Sequence, residues 1–190
     1  MSREDVKFTY HDYLLLSDEK RYELIDGELY VVPAPNIYHQ RISRNLEYAL
    51  VQHVRQNNLG EVLNAPCDVV LSQENVIQPD ILFISKDRFG IIATANIQAA
   101  PDLVIEILSE STKARDLDIK RKLYARYGAR EYWIVDPTAK SVEVLAWRQA
   151  GYEPGYVTVA VLLHTASLSS PLFPQLNLPL SDIFPSERQD

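Results

Sequence analysis

The run Leu103-Val104-Ile105-Glu106-Ile107-Leu108 sets one carboxylate in the middle of otherwise unbroken apolar sequence. An acid inside a buried strand is rare unless it is paired or ligates something. The next segment supplies a partner. From Thr112 to Tyr127 the spacing predicts an amphipathic helix closed by Gly128. At about 100° per residue, Leu117, Ile119, Leu123, Tyr124 and Tyr127 define one apolar face, and Lys120 falls inside it. Arg115, Arg121, Lys122 and Arg126 lie at the edge of that face or behind it. A lysine so placed either snorkels to the surface or meets a buried carboxylate. Glu106 and Lys120 are each costly alone and reasonable together.

A second carboxylate has a similar setting. In Gln78-Pro79-Asp80-Ile81-Leu82-Phe83-Ile84 an aspartate opens another short β-like run, and Pro79 can begin a strand but not continue inside one. Asp80, Glu106 and Lys120 therefore belong to two predicted strands and the helix after the second. Two carboxylates can hold a divalent cation, Mg2+ or Mn2+, through hard oxygen ligands. Such an ion polarises a phosphodiester and lowers the pKa of a bound water, and a lysine can orient that water or stabilise developing charge. The plainer reading is a strand-opening aspartate and a structural ion pair of Lys120 with Glu106 or Asp116.

These residues carry a resemblance. Pro79-Asp80, then Glu106 in an apolar strand, then a lysine, resemble the PD-(D/E)XK nuclease superfamily, whose lysine usually lies two residues after the acid. Here that position is Leu108. The bacterial Uma-type restriction-endonuclease-like family shows the same departure. The chain resembles it through Tyr22-Glu23-Leu24-Ile25-Asp26-Gly27-Glu28-Leu29, Gln78-Pro79-Asp80, Pro101 to Ser109 and Ser111-Thr112. The match continues with Asp116, Lys120, Tyr124, Gly128 and Glu131 to Pro137, so it spans about residues 20 to 147. The resemblance implies a restriction-endonuclease-like sandwich, an α/β fold with a mixed central sheet flanked by helices. It implies a metal at Asp80 and Glu106, a catalytic lysine moved to position 120, a nucleic-acid substrate (DNA first) and a homodimer. Glu28 matches a family position for a further acid from the N-terminal region.

Composition is compatible with this. With 46% hydrophobic and 24% charged residues, the chain reads as one globular domain over 1–190. Its core covers about residues 20–147, and 148–190 adds a strand and an irregular tail. No apolar run approaches the ~18 residues of a membrane span, and Met1-Ser2-Arg3-Glu4-Asp5 shows no secretory signal. The single Cys67 excludes an internal disulfide and a thiolate zinc site, and fits the cytoplasm as an apolar filler. A net charge of -7 opposes simple DNA binding, which rests on lysine and arginine meeting phosphates. Positive charge must be gathered locally or supplied by a metal. Lys113, Arg115, Lys120, Arg121, Lys122 and Arg126 form the only dense basic stretch, either a phosphate-facing surface or a solvated face.

The remaining pattern predicts a short helix over Tyr10 to Leu16 and strands over Tyr22 to Ile25 and Glu28 to Val32, joined by Asp26-Gly27. A long helix capped by Asn36 runs to about Asn58, burying Ile37, Ile42, Leu46, Ala49, Leu50 and Val54. Strands follow near Val62 to Leu71, Asp80 to Ser85, Glu131 to Val135, Val142 to Trp147 and Gly151 to Leu163. His39, at a helix start, could touch substrate or metal. Asp102 shares a strand face with Glu106 and is a weak alternative ligand. Asp116 reads as a carboxylate favoured near a helix start.

Two functions of different class are compatible with all this. One is a metal-dependent DNA endonuclease using Asp80, Glu106 and Lys120, with RNA or a nucleotide as a variant substrate. The other is a non-catalytic interaction module, associated with nucleic acid, that keeps the same residues as a buried ion network.

Overall fold

The computed structural model describes residues 6–150 and 153–185. The N-terminal segment Met1 to Asp5 and Gly151, both read above, lie outside the described residues. Thr9 and Asp12 form a reciprocal capping box on the short helix α1 (Tyr10–Leu14). β1 (Arg21–Ile25) and β2 (Glu28–Val32) make the expected hairpin. Its turn residues Asp26 and Gly27 take φ of 47° and 81°, the double left-handed step that a two-residue hairpin loop needs. Asn36 accepts the His39 amide and starts the long helix α2 (Ile37–Gln56).

Six strands then build a mixed sheet in the order β10-β9-β8-β7-β6-β3. They are β3 (Gly60–Asn64), β6 (Ile81–Ser85), β7 (Leu103–Ile107), β8 (Glu131–Asp136), β9 (Ser141–Ala150) and β10 (Glu153–Leu163). Only β7 and β8 pair in parallel, and the helix α3 (Arg121–Tyr127) lies in the crossover between them. A smaller antiparallel sheet, ordered β2-β1-β5-β4, includes β4 (Val69–Ser72) and β5 (Asn75–Ile77).

The period-two pattern of the central strands divides the core into two layers. Ile81, Phe83, Leu103, Ile105, Ile107, Trp133 and Val135 face Ile42, Leu46, Leu50 and Val54 of α2. Leu82, Ile84, Val104, Tyr132 and Ile134 face Leu123 and Tyr124 of α3 and Ile25, Val69 and Ile77 of the small sheet. The α/β sandwich with a mixed, helix-flanked sheet is thus the observed architecture.

Several expectations are corrected. The strand expected over Val62 to Leu71 is two strands, β3 and β4, in different sheets, because Pro66 cannot donate to a ladder. The tail is not irregular. β11 (Ser167–Ser170) and β12 (Phe173–Pro179) form a hairpin, and Leu168, Phe173, Leu178 and Ile183 pack into the α2 layer. Ile37, placed in the buried stripe of α2, is 69% exposed. Being the first helical residue, it projects past the sheet edge.

Phe173 lies edge-on to Phe83 and Trp133, with ring centroids 4.7 and 6.0 Å away. Its burial makes the tail part of the core. Phe173→Ala should therefore lower stability by about 3–5 kcal/mol, read as a shift of the urea midpoint at unchanged slope. A loss within about 0.5 kcal/mol, the range of surface substitutions, would show the tail to be an appendage.

Candidate active site

Alternation along β7 sends Val104 and Glu106 to the layer shared with α3 and the small sheet. β6 pairs antiparallel with β7 in the register Ile81 to Ile105, so one further step sets Asp80 opposite Glu106. There the ladder changes character. The Ile107 amide donates to Oδ2 of Asp80 at 2.8 Å. His39, in the first turn of α2 and 8% exposed, brings Nε2 to 3.2 Å from the same Oδ2 and 3.1 Å from the Ile107 carbonyl. With acceptors on both sides, Nε2 carries the proton. Nδ1 is buried without a hydrogen-bond partner. Burial opposes the charged imidazole, but the Asp80 carboxylate and the Ile107 carbonyl outweigh it and raise the His39 pKa above its ordinary value.

Lys120 is fully inside. Its Nζ lies 2.8 Å from Glu23, 3.0 Å from Glu106 and 3.4 Å from Asp116. Burial alone would strip its proton, but Glu106, Glu23 and Asp116 hold its pKa well above the usual lysine range. Of these, the Glu106 contact is a hydrogen bond, while Oδ1 of Asp116 is buried without a hydrogen-bond partner. Glu106 also accepts the Tyr124 hydroxyl at 2.6 Å. Both bonds converge on Oε1, which keeps Oε2 for another partner. Burial pushes the Glu106 carboxyl well above the carboxylate range; Lys120 opposes this, and Asp116, Asp80 and Glu23 add to it.

Two members of this cluster were not expected as site residues. Asp116 is 2% exposed, not a solvated helix-start acid. Residues Arg115–Lys120 form a π-helical turn, which holds more residues than an α-turn and brings positions four apart closer to one azimuth. Asp116 and Lys120 therefore face inward together, while Ile119, assigned to the apolar face by α-helical spacing, is 36% exposed. Glu23 is 1% exposed and accepts the Gln78 amide at 3.0 Å as well as Lys120. The available signal was an acid inside a predicted strand, the same signal that marked Glu106, but Glu23 lies in a less apolar run.

The second-tier acids fall elsewhere. Glu28 is exposed, pairs with Ile25 at the turn end of the hairpin and accepts the Tyr30 hydroxyl. Asp102 has no exposed surface, but it accepts the Ser85 amide and pairs with Arg88 and Arg130. Four residues of strand set it about 13 Å from Glu106. Its role is to close the far end of the β6–β7 pair. The basic helix is largely neutralised on its own surface, where Lys113 pairs with Asp136, Lys122 with Asp118 and Arg126 with Asp26.

Asp80, Glu106, Asp116, Lys120, His39 and Glu23 line one open cleft of about 1340 Å³. Glu23, Asp80, Glu106 and Asp116 set four carboxylates against the two cations Lys120 and Arg115, so two negative charges are uncompensated when the acids are ionised. Among the described residues no three His, Cys, Asp or Glu side chains already converge as a metal cage. Lys120→Met should cost about 3–5 kcal/mol near neutral pH, because it leaves buried carboxylates unpaired. Burial then raises the folded pKa values of Glu106 and Asp116 further above the unfolded ones, so the variant loses stability as pH rises above 4.5, the ordinary Glu106 value. Urea unfolding at intervals from about pH 5 to pH 8 should show the gap to wild type widening; a constant gap would contradict the charge account.

Comparison with known proteins agrees with this architecture. A family model described as "Uma2: Putative restriction endonuclease" matches residues 9–181. A solved structure, described as the crystal structure of a "putative nuclease belonging to DUF820" from Anabaena variabilis ATCC 29413 at 1.96 Å resolution, has the same fold. It aligns with a TM-score of 0.75 and 22% identity, over 93% of this chain and 97% of that one. No curated protein matches the sequence significantly. No helix of the described residues is long and apolar enough to cross a membrane. Because the family model extends over most of the sequence, from the first helix to the last turn, the chain belongs to the Uma2 family.

Proposed function

We propose that the protein is a magnesium- or manganese-dependent endonuclease that hydrolyses phosphodiester bonds in DNA. The observation that carries this reading is the placement of Asp80 opposite Glu106 along the wall of an open cleft, close enough that the Asp80 charge adds to the raised Glu106 pKa. The donor chemistry fits a small hard cation: two carboxylates and a main-chain carbonyl. A metal held by Asp80, Glu106 and the Ile107 carbonyl would supply Lewis-acid polarisation of the phosphodiester and a water of lowered pKa.

The chain's own groups have distinct parts in this reading. Tyr124 donates to Oε1 of Glu106 and fixes that carboxylate against the helix. His39 holds Asp80 through Nε2–H; with the proton on Nδ1, it would offer a nitrogen ligand instead. Lys120 stays protonated and acts as a fixed positive charge, not as a base. A Glu106 carboxylate turned away from Lys120 would free one Nζ–H for a phosphate oxygen. One chain carries one such centre, so cutting both strands of a duplex calls for two copies, the role of the expected homodimer.

A specific observation favours the second reading, a non-catalytic module. The Lys120 ammonium is enclosed by three acids and Glu106 is tied to Lys120 and Tyr124, as in a self-contained ion network. Calorimetric titration of Mg2+ and Mn2+ into wild type and Glu106→Ala, with and without a DNA duplex, separates the two. The nuclease reading expects binding in wild type and none in the variant. Asp80→Ala should abolish cleavage and keep or raise metal-free stability, since it removes one of several mutually repelling carboxylates. Absence of metal binding even with DNA present, or cleavage surviving Asp80→Ala, would leave the ion-network reading.

A further inference from the structure

The six cations of the helix that follows Ser111 do not share one fate. Lys113, Lys122 and Arg126 pair with surface acids, with side chains 51%, 72% and 55% exposed. Lys120 is enclosed by carboxylates at 5% side-chain exposure. Arg121 is not among the residues lining the cleft. Arg115 differs from all of these. It stands at the first position of the π-turn, lines the cleft that holds Asp80, Glu106 and Lys120, and keeps 17% of its side chain exposed.

Its mounting is unlike that of a surface cation. The guanidinium carbon sits 4.5 Å from the centroid of the Tyr30 ring, in cation–π contact. Nη1 reaches Oε2 of the buried Glu23 at a long 3.5 Å, while the other oxygen of Glu23 takes Lys120 and the Gln78 amide. A guanidinium has five donors in a fixed plane. Stacking and a single edge contact immobilise that plane while engaging one of the five. Rigid forks of this kind match the paired oxygens of a phosphodiester, and their ordering entropy is already spent before the ligand arrives. Glu23 is also pulled more tightly by Lys120, at 2.8 Å, than by Arg115, so the arginine can shift to another anion without leaving a buried carboxylate unpaired.

We propose that Arg115 is a phosphate-binding residue of the cleft, gripping a phosphodiester of the nucleic-acid strand beside the Asp80–Glu106 centre, with Tyr30 as its platform. The proposal rests on the nuclease reading and adds to it the group that meets the backbone of an otherwise acidic protein. Lys120 is enclosed at 5% side-chain exposure by Glu23, Glu106 and Asp116, whereas Arg115 keeps 17% of its side chain open to the cleft. Arg115 therefore contributes affinity and register, and no bond is made or broken at it.

The test is fluorescence anisotropy of a short fluorescein-labelled DNA duplex, titrated with wild type, Arg115→Met, Arg115→Lys and Tyr30→Leu. Ca2+ is used in place of Mg2+, over a series of salt concentrations. Loss of a phosphate contact should weaken Arg115→Met by about 10- to 100-fold, the range of a charged bidentate contact. The slope of log K against log salt should become shallower by about 0.9. Arg115→Lys keeps the charge, so its slope should stay near wild type while affinity falls several-fold for want of the fork. Tyr30→Leu should lose affinity without changing the slope. A merely structural Arg115 would move the unfolding midpoint, measured alongside, but not the salt slope. If wild type binds the duplex and Arg115→Met keeps its slope and affinity, Arg115 is not the contact and the nuclease reading stands. If wild type itself binds no DNA at any salt concentration tested, both fall.

Discussion

One ammonium group holds the functional half of this molecule together. Lys120, on the crossover helix, reaches Glu23 of the small sheet, Glu106 of the central sheet and Asp116 of its own turn. Three elements distant in sequence therefore share a single buried charge. Coulombic attraction at low dielectric is large, but so is the cost of drying the ions. The arrangement is unlike an ordinary stabilising salt bridge in that acids outnumber the lysine, and the excess is concentrated where the cleft opens.

The sheet explains how that excess can be kept in place. β6 begins one residue after Asp80, and β7 carries Glu106 to the opposing position. The Asp80 carboxylate then takes the Ile107 amide, beyond the last β6–β7 ladder pair. Asp80 is thus fixed both by a backbone amide and by the His39 side chain. His39 arrives from the opposite layer, from the first turn of α2, and touches both Asp80 and the Ile107 carbonyl. The centre therefore sits where the two core layers meet at one end of the β6–β7 pair. Asp102 seals the other end with arginines, which accounts for two carboxylates near one strand having unrelated uses.

Legibility in the sequence followed the range of the interaction involved. Glu106 stood out because five apolar neighbours made its burial expensive, and Lys120 because it interrupted an apolar helical face. The Asp26-Gly27 turn, the Asn36 cap and the Gly128 stop were readable for the same local reason. Asp116 was misread because an acid near a predicted helix start is favoured by the helix dipole, whereas its burial beside Lys120 depends on how that turn packs into the cluster. The tail was misread because its apolar residues show no long period, and its strands are stabilised by packing on α2 and Phe83.

The strand carrying Glu106, the turn and cap positions, the mixed α/β class and the need for a cation near that acid were all readable from the chain, because each depends on the cost of burying or bending a few adjacent residues. It took the folded arrangement to bring Glu23 and Asp116 into the cluster, to leave Glu28 and Asp102 out of it, and to stack Arg115 on Tyr30 at the cleft wall. Those outcomes depend on which strands pair, on the pitch of one helical turn and on contacts spanning up to 97 residues, the separation of Glu23 and Lys120 in the chain. Local sequence patterns carry no energy term for such contacts until the sheets have closed around them.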